Sequence, residues 1–291
     1  MIVFLLLGAF PLIPSARITL LLLAVTAWAG TPDPLEIIRR AVETDHLNDI
    51  KARNYVYTER TITRDLYNNG QAKSEESVTK ELLFVYGRQV ERLVEKDGKP
   101  LSGREEEKEN QRIEKLTEKW SRESDAEREK RLAREAEERR KGREFIGEVP
   151  DAYNFKLAGE ESINGRPAWI IDAEPRPGFR PRVPRADVLS KFHGRLWIDQ
   201  AEYQLVRIES ESIDTVAFGY IIARLQKGAY FRFELTQVNG EVWLPKSLSV
   251  RFGARLGLLK SFRREVQQSN WGFRRFQTDS KLVGVKQEES H

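Results

Sequence analysis

The sequence predicts an α+β fold: one curved antiparallel sheet forming an incomplete, half-open β-barrel, with an N-terminal helix and a long charged helical insertion. Three observations predict it. Run after run of residues alternates apolar and polar with a period of two. Four turn dipeptides, Asn69-Gly70, Asp97-Gly98, Asn164-Gly165 and Asn239-Gly240, punctuate these runs, and such dipeptides supply the positive φ angles of tight hairpins. No helical pattern separates the strands of these hairpins, which argues against βαβ crossovers.

The chain opens with an apolar run, residues 1–14, followed by Arg17 and a second apolar run from Ile18 to Ala29. The second run has a basic residue before it and ends in Ala27-Trp28-Ala29, a small-residue cleavage pattern ahead of Gly30. Residues 1–29 therefore read as a secretory signal peptide. A retained membrane helix is the rival, but Pro11, Pro14 and Arg17 sit in its middle. Residues 30–291 read as a single exported domain, periplasmic or otherwise associated with the cell envelope.

The first element of that domain is a helix over Leu35–Lys51, with Asp33 as N-cap and Pro34 at the first helical position. Leu35, Ile38, Val42, Leu47 and Ile50 fall roughly on one face, which should pack on something flat. The period then changes to two. Strands are expected at 54–63, 78–87 and 88–96, then in the residues leading to Asn164-Gly165 and over 167–174. Two more follow at 229–238 and 241–252. In the first of these, Phe231, Phe233 and Leu235 share a side. In the second, Leu248, Val250 and Phe252 alternate with Ser247, Ser249 and Arg251. One face of the sheet is thus apolar and rich in phenylalanine, the other polar. Pro245 belongs at an edge or a bulge. Trp271, Phe273 and Phe276 mark a last aromatic strand.

Two segments stand apart. Residues 103–144 are dense in Glu, Lys and Arg at i,i+4 spacing and strongly helical in propensity. They read as a solvated helical excursion or as a docking arm for an envelope protein partner. Matched charges argue against nucleic acid. In the second segment, 174–187, Arg176, Arg180, Arg182 and Arg185 alternate with Pro175, Pro177, Pro181 and Pro184. Proline forbids ladder hydrogen bonds, so this is an extended loop: a surface crossover, or a basic flap able to meet anionic lipid head groups at a membrane surface.

Little in the chain points to catalysis. Cysteine is absent, which removes disulfides, thiolate nucleophiles and cysteine-ligated metals. His46, His193 and His291 stand at no metal-ligand spacing. Nucleophile-elbow, phosphate-loop and dinucleotide motifs are missing. Asp172 and Asp199 lie at strand ends, where Asp199 is expected to shape a turn. Lys plus Arg (49) nearly balances Asp plus Glu (45), so overall charge does not call for a polyanion. No enzyme activity, cofactor or metal is expected.

The hairpin Lys191–Ser210 carries a resemblance. FHGRLWID reads as a strand, Gln200-Ala201-Glu202 as its turn, and YQLVRIES as its partner. Through Gly194, Leu196, Trp197, Ile198, Asp199, Leu205, Val206 and Arg207 it resembles the LolA/LolB-like superfamily of bacterial outer-membrane lipoprotein-sorting proteins, to which the periplasmic sensor RseB is related. Trp243-Leu244-Pro245 resembles a second strand motif of that superfamily. The charged insertion is foreign to its dedicated carrier, and no latch residue of that carrier has an equivalent here. The resemblance implies a non-catalytic carrier of lipid or of a lipoprotein's acyl chains, or a sensor and scaffold acting through the charged helix.

A wide sheet with one apolar face must cover that face or curl around it. One helix does not cover so many strands, so a cavity open at one side is expected. Its candidate lining is Leu196, Ile198, Phe231, Phe233, Leu235, Leu248, Val250 and Phe252.

Overall fold

The computed structural model describes residues 32–218, 223–256 and 260–276. The expected signal peptide and the C-terminal tail lie outside these residues. The chain forms α1 (Pro34–Ala52), β1 (Tyr55–Leu66), β2 (Ala72–Val85), β3 (Arg88–Lys96) and β4 (Lys99–Pro100). The insertion α2 (Gly103–Ser121) and α3 (Asp125–Ile146) follows, then the short α4 (Val149–Ala152). A meander β5 (Tyr153–Ile163), β6 (Arg166–Pro175), β7 (Phe192–Asp199) and β8 (Leu205–Ser212) comes next. Last come β9 (Val216–Phe218), β10 (Ala223–Leu225), β11 (Tyr230–Val238), β12 (Val242–Leu256) and β13 (Lys260–Arg275).

All strands join one 13-stranded sheet in the order β4-β3-β2-β1-β13-β12-β11-β8-β7-β6-β5, with β10 attached to β12 and β9 to β10. Every pairing is antiparallel. The two ends of this order, β4 with β3 and β5, do not pair, so the sheet is a half-open barrel. β1 and β13 pair over almost their whole lengths and splice the two hairpin systems together.

Three of the four expected turns form as two-residue loops, while Asn69-Gly70 lies in the longer connection between Leu66 and Ala72, with positive φ at Gly70 alone of the pair. Asp97-Gly98, Asn164-Gly165 and Asn239-Gly240 all have positive φ at both residues, the geometry of two-residue hairpin loops whose twist matches the strands. Pro245 sits at a bulge, where the pairing of β11 with β12 slips between Glu234 and Leu235.

The sheet is coiled at its β6 corner. Arg166 begins β6, four strands from β12 in sheet order, which on a flat sheet would be about 19 Å away. Its guanidinium nevertheless lies 5.4 Å from the centroid of the Trp243 ring and bonds Gln237 of β11 at 3.2 Å. Trp197, Val206, Leu235 and Trp243 pack together there with Ile163 and Ala168.

α1 covers the other side of this corner. Ile37, Ile38 and Ala41 are buried with Trp169, Ile171 and Ile198, and burying each isoleucine contributes about 2 kcal/mol. Of the expected stripe only Ile38 is core, joined by Ile37 and Ala41; Leu35 and Val42 are half-buried, and Leu47 and Ile50 are 61% and 49% exposed. The second half of α1 holds the sheet by polar contacts instead, with Asn48 and Lys51 bonding the backbone of Trp243 and Glu241.

The insertion is two helices, not one. Each begins at a serine capping box, Ser102 with Glu105 and Ser124 with Glu127, and neither buries a residue. α2 lies along β3. α3 carries the chain from the β3 edge, where Glu123 pairs with Arg88, to α4 and the β5 edge.

Candidate functional site

Directly paired residues of an antiparallel sheet point to the same face, so the register defines rows across it. One row runs Leu157, Ile171, Leu196, Ile208, Phe233, Leu248, Gln268, Thr61 and Val78, from β5 to β2. The next runs Ala173, Gly194, Ser210, Phe231, Val250, Val266 and Thr63. Ile171 and Leu196 pack against α1, so these rows belong to the α1 face. At the far end Val78 lines the cleft beneath α2.

Between the two helices the rows are apolar and half-buried over most of β8, β11 and β12, and turn polar at Gln268, Thr61 and Thr63 on β13 and β1. Ile208, Phe231, Phe233, Leu248, Val250, Phe252 and Val266 all have intermediate exposure. Phe192 meets Phe231 edge-on at 6.4 Å, and Phe252 meets Phe262 edge-on at 6.1 Å. Ile208, Phe231, Leu248, Val250 and Phe252 lie outside the four buried clusters. Phe233 also touches the cluster of Trp197 and Trp243.

Five of the expected lining residues therefore share one open strip: Phe231, Phe233, Leu248, Val250 and Phe252. The other three are elsewhere. Ile198 is fully buried under α1, Leu196 packs at the edge of that core, and Leu235 is 7% exposed beyond the bulge among Trp197 and Trp243. Alternation alone put them with the strip. The bulge at Pro245 and the coverage by α1 set them apart. Sequence reading missed Phe192, Ile208 and Val266, since each has ordinary strand neighbours and only the register brings them to the strip.

Beyond the cluster of Trp197 and Trp243, the opposite face carries paired charges. Asp172, Arg195, Glu209 and Arg232 occupy successive positions of one row. Their charges alternate, with Arg195 bonding Asp172 at 2.6 Å and Arg232 3.3 Å from Glu209. Arg207 bonds Glu234 at 2.8 Å. Burial would raise the Glu234 carboxyl, but Arg232 and Arg207 outweigh it and hold the group below the usual range.

The loop 174–187 is pinned, not free. Arg182 bonds the buried Glu148 at 3.0 Å and Asp151 at 2.7 Å, and Arg176 donates to the Tyr153 carbonyl. Phe179 packs on the cluster of Ala152, Tyr153 and Ala173. Arg180 and Arg185 are exposed and make no ion pair among the described residues.

Asp199 shapes its turn as expected, accepting from the N–H groups of Ala201 and Glu202 at 3.0 and 2.8 Å. It also takes both nitrogens of the Arg166 fork, at 2.6 and 2.9 Å, which makes it structural. His193 lies 3.4 Å from Glu174 on an exposed strand. Among the described residues no group of three His, Cys, Asp or Glu could hold a metal ion.

No family model matches the chain, and no curated protein matches it in sequence. Among solved structures it is similar to a LolA superfamily protein from Nitrosomonas europaea, with 10% identity over 85% of this chain and 94% of that one, TM-score 0.29. It is similar to a DUF1329 family protein from Desulfovibrio piger, with 12% identity over 88% and 96%, TM-score 0.28. It is also similar to a chain of the MucA/MucB complex from Pseudomonas aeruginosa, with 11% identity over 84% and 100%, TM-score 0.23. The first of these comes from the superfamily that the Lys191–Ser210 hairpin resembles. At such identities and TM-scores these likenesses say nothing of what the chain binds.

Proposed function

We propose that the open strip holds an acyl chain, and that the protein is a non-catalytic carrier of lipid or of a lipoprotein's acyl chains in the cell envelope. The observation that carries this reading is the row-by-row register: Ile208, Phe231, Phe233, Leu248 and Val250 form one apolar surface between α1 and α2, while the other face is zipped by ion pairs. A face whose β8, β11 and β12 residues include half-buried phenylalanines, with charged pairs such as Arg264–Asp65 only at its β13–β1 margin, is suited to a partner with no polar code. Each buried methylene contributes ~0.8 kcal/mol, so about ten give a gross affinity on the order of micromolar before ordering costs. Export follows from the leader expected at residues 1–29, and Arg180 and Arg185 are placed to meet anionic head groups.

The test is native mass spectrometry of the protein purified from a bacterial periplasm, followed by solvent extraction. A co-purifying fatty acid or phospholipid that disappears in Phe231→Asp supports the reading. A clean apo mass, with no uptake of added phospholipid, ends it. A scaffold acting through the insertion is the second reading, favoured by the absence of any buried residue in α3. A scaffold would lose its envelope partner on loss of α3 and keep it in Phe231→Asp.

A further inference from the structure

The edge of the sheet at β3 is laddered in an unusual way. After the Asp97-Gly98 turn, β4 pairs with Lys96 and Glu95, and Leu101 N–H reaches the Val94 carbonyl at 3.3 Å. There the backbone leaves the sheet and side chains of α2 take over. Glu109 accepts from Leu93 N–H at 2.8 Å, and Arg112 donates to the Glu91 carbonyl. Glu109 and Arg112 are themselves joined at 2.7 Å. Together they satisfy an outward N–H and C=O two residues apart, which is what a neighbouring strand would do.

The flanking side chains follow the same course. Lys96 pairs with Glu105 at 3.0 Å, Arg92 bonds Asn110 at 3.2 Å, and Arg88 pairs with Glu123. α2, Gly103–Ser121, rises about 27 Å, and from Lys96 to Arg88 a strand covers about 27 Å. Helix and strand are matched in length and run antiparallel. Yet α2 buries no residue, and a cavity of about 610 Å³ lies beneath it, lined by Val78, Val90, Leu93, Leu116 and Trp120 among others.

We propose that the β3 edge is a docking site for an extended acidic segment of a partner protein, and that α2 is its built-in occupant. Charge selects the partner. β3 presents Arg88, Arg92 and Lys96 at every fourth position, and they are answered by Glu105 and Asn110 of α2 and by Glu123 in the link that follows it. A second copy of β3 is a poor occupant, because antiparallel self-pairing about Arg92 sets Arg88 against Lys96. An extended peptide with acidic residues at that spacing satisfies the bases, takes the Leu93 and Glu91 backbone groups as β-augmentation does, and lays apolar side chains over Val78 and Leu93, which α2 leaves half-exposed. Of the ion pairs to β3, Lys96–Glu105 is exposed and Arg88–Glu123 mostly shielded, but α2 buries no residue, so it can be displaced without disturbing the core.

The test uses the full chain, native and as the variant Glu105→Gln/Glu109→Gln/Glu123→Gln. The probe is a synthetic peptide of the length of β3, 9 residues, with Glu at every fourth position and Val or Thr between. A control peptide carries Lys in place of Glu. In the variant the Leu93 amide should exchange at least about tenfold faster, and the acidic peptide should bind at least about tenfold more tightly than to the native chain and restore protection. In the native chain, saturating peptide should speed exchange over Gly103–Ser121. Unchanged Leu93 exchange in the variant overturns the proposal, as does faster exchange with no peptide binding, or equal binding of both peptides. If the variant fails to fold, unchanged exchange over α2 in the native chain at saturating peptide has the same consequence.

Discussion

Asn48 and Trp243 form a closed pair of hydrogen bonds: the Asn48 carbonyl accepts from Trp243 N–H at 2.8 Å, and its amide donates to the Trp243 carbonyl at 2.8 Å. Trp243 is the second residue of β12 and lies four residues before β13 starts to pair at Ser247, so its free edge would otherwise be open. One side chain of α1 stands in for the missing strand. Asn48→Ala leaves two backbone groups without partners and should cost about 1–3 kcal/mol. The urea midpoint should fall with the slope unchanged. Asn48→Asp keeps the acceptor but loses the donor, and should fall between the two.

The Arg166–Asp199 clamp sets a pH dependence. Burial alone would raise the Asp199 carboxyl, but the Arg166 fork and the N–H groups of Glu202 and Ala201 outweigh it and hold the group below its usual range. A depressed folded value means the stabilisation is complete above the unfolded value of about 4. It is lost as pH falls through the lower folded one. Asp199→Asn should be less stable than native by about 1–3 kcal/mol at neutral pH. That gap should narrow in urea titrations below pH ~4. Parallel stability curves for the two proteins would refute the clamp as the source.

Gly194 is the one glycine of β7, and close approach explains it. A Cβ there would stand 2.7 Å from the Glu209 carbonyl oxygen and 3.2 Å from the Ser210 Cβ. Both belong to β8, the strand it pairs with, so neither can swing away. Gly194→Ala should cost about 1–3 kcal/mol through overpacking. It should also perturb the amide shifts of Ser210 and Phe231, which share its row.

These sites differ in how far the sequence announces them. The hairpins were legible because Asp97-Gly98, Asn164-Gly165 and Asn239-Gly240 name their turn type. The Tyr86-Gly87 turn has the same positive φ angles, 49° and 71°, but tyrosine is no turn residue and gives no such signal. The apolar side of β11 and β12 was legible as alternation. Which of its residues stay open was not, since that depends on the Pro245 bulge and on where α1 lies. The split of α1 into a buried half and an exposed half was hidden for a related reason. Leu47 and Ile50 look like stripe residues, and only the contact of Asn48 with Trp243 shows that the helix there holds a strand end and not a core. The edge role of Glu109 and Arg112 was hidden among many similar i,i+3 and i,i+4 pairs.

α3 sets the last prediction. It is 22 residues long, about 33 Å as a helix, and it joins the β3 edge to the β5 edge, the two ends of the open sheet. Its capping box at Ser124 and Glu127 and its internal pairs, such as Arg131 with Glu135 at 3.0 Å, make it stiff without any core contact. A bar of fixed length between two free edges should fix their separation. Replacing Asp125–Ile146 by a Gly/Ser linker of equal residue count keeps the reach, since such a chain has a mean span of about 26 Å, but removes the stiffness. The sheet and the urea midpoint should be retained, because nothing buried is lost. The distance between spin labels at Gln89 on β3 and Glu160 on β5 should change from a narrow distribution to a broad one. A distribution that stays narrow would mean that the coiling of the sheet at Arg166 and Trp243 holds the aperture by itself, with α3 merely connecting its edges.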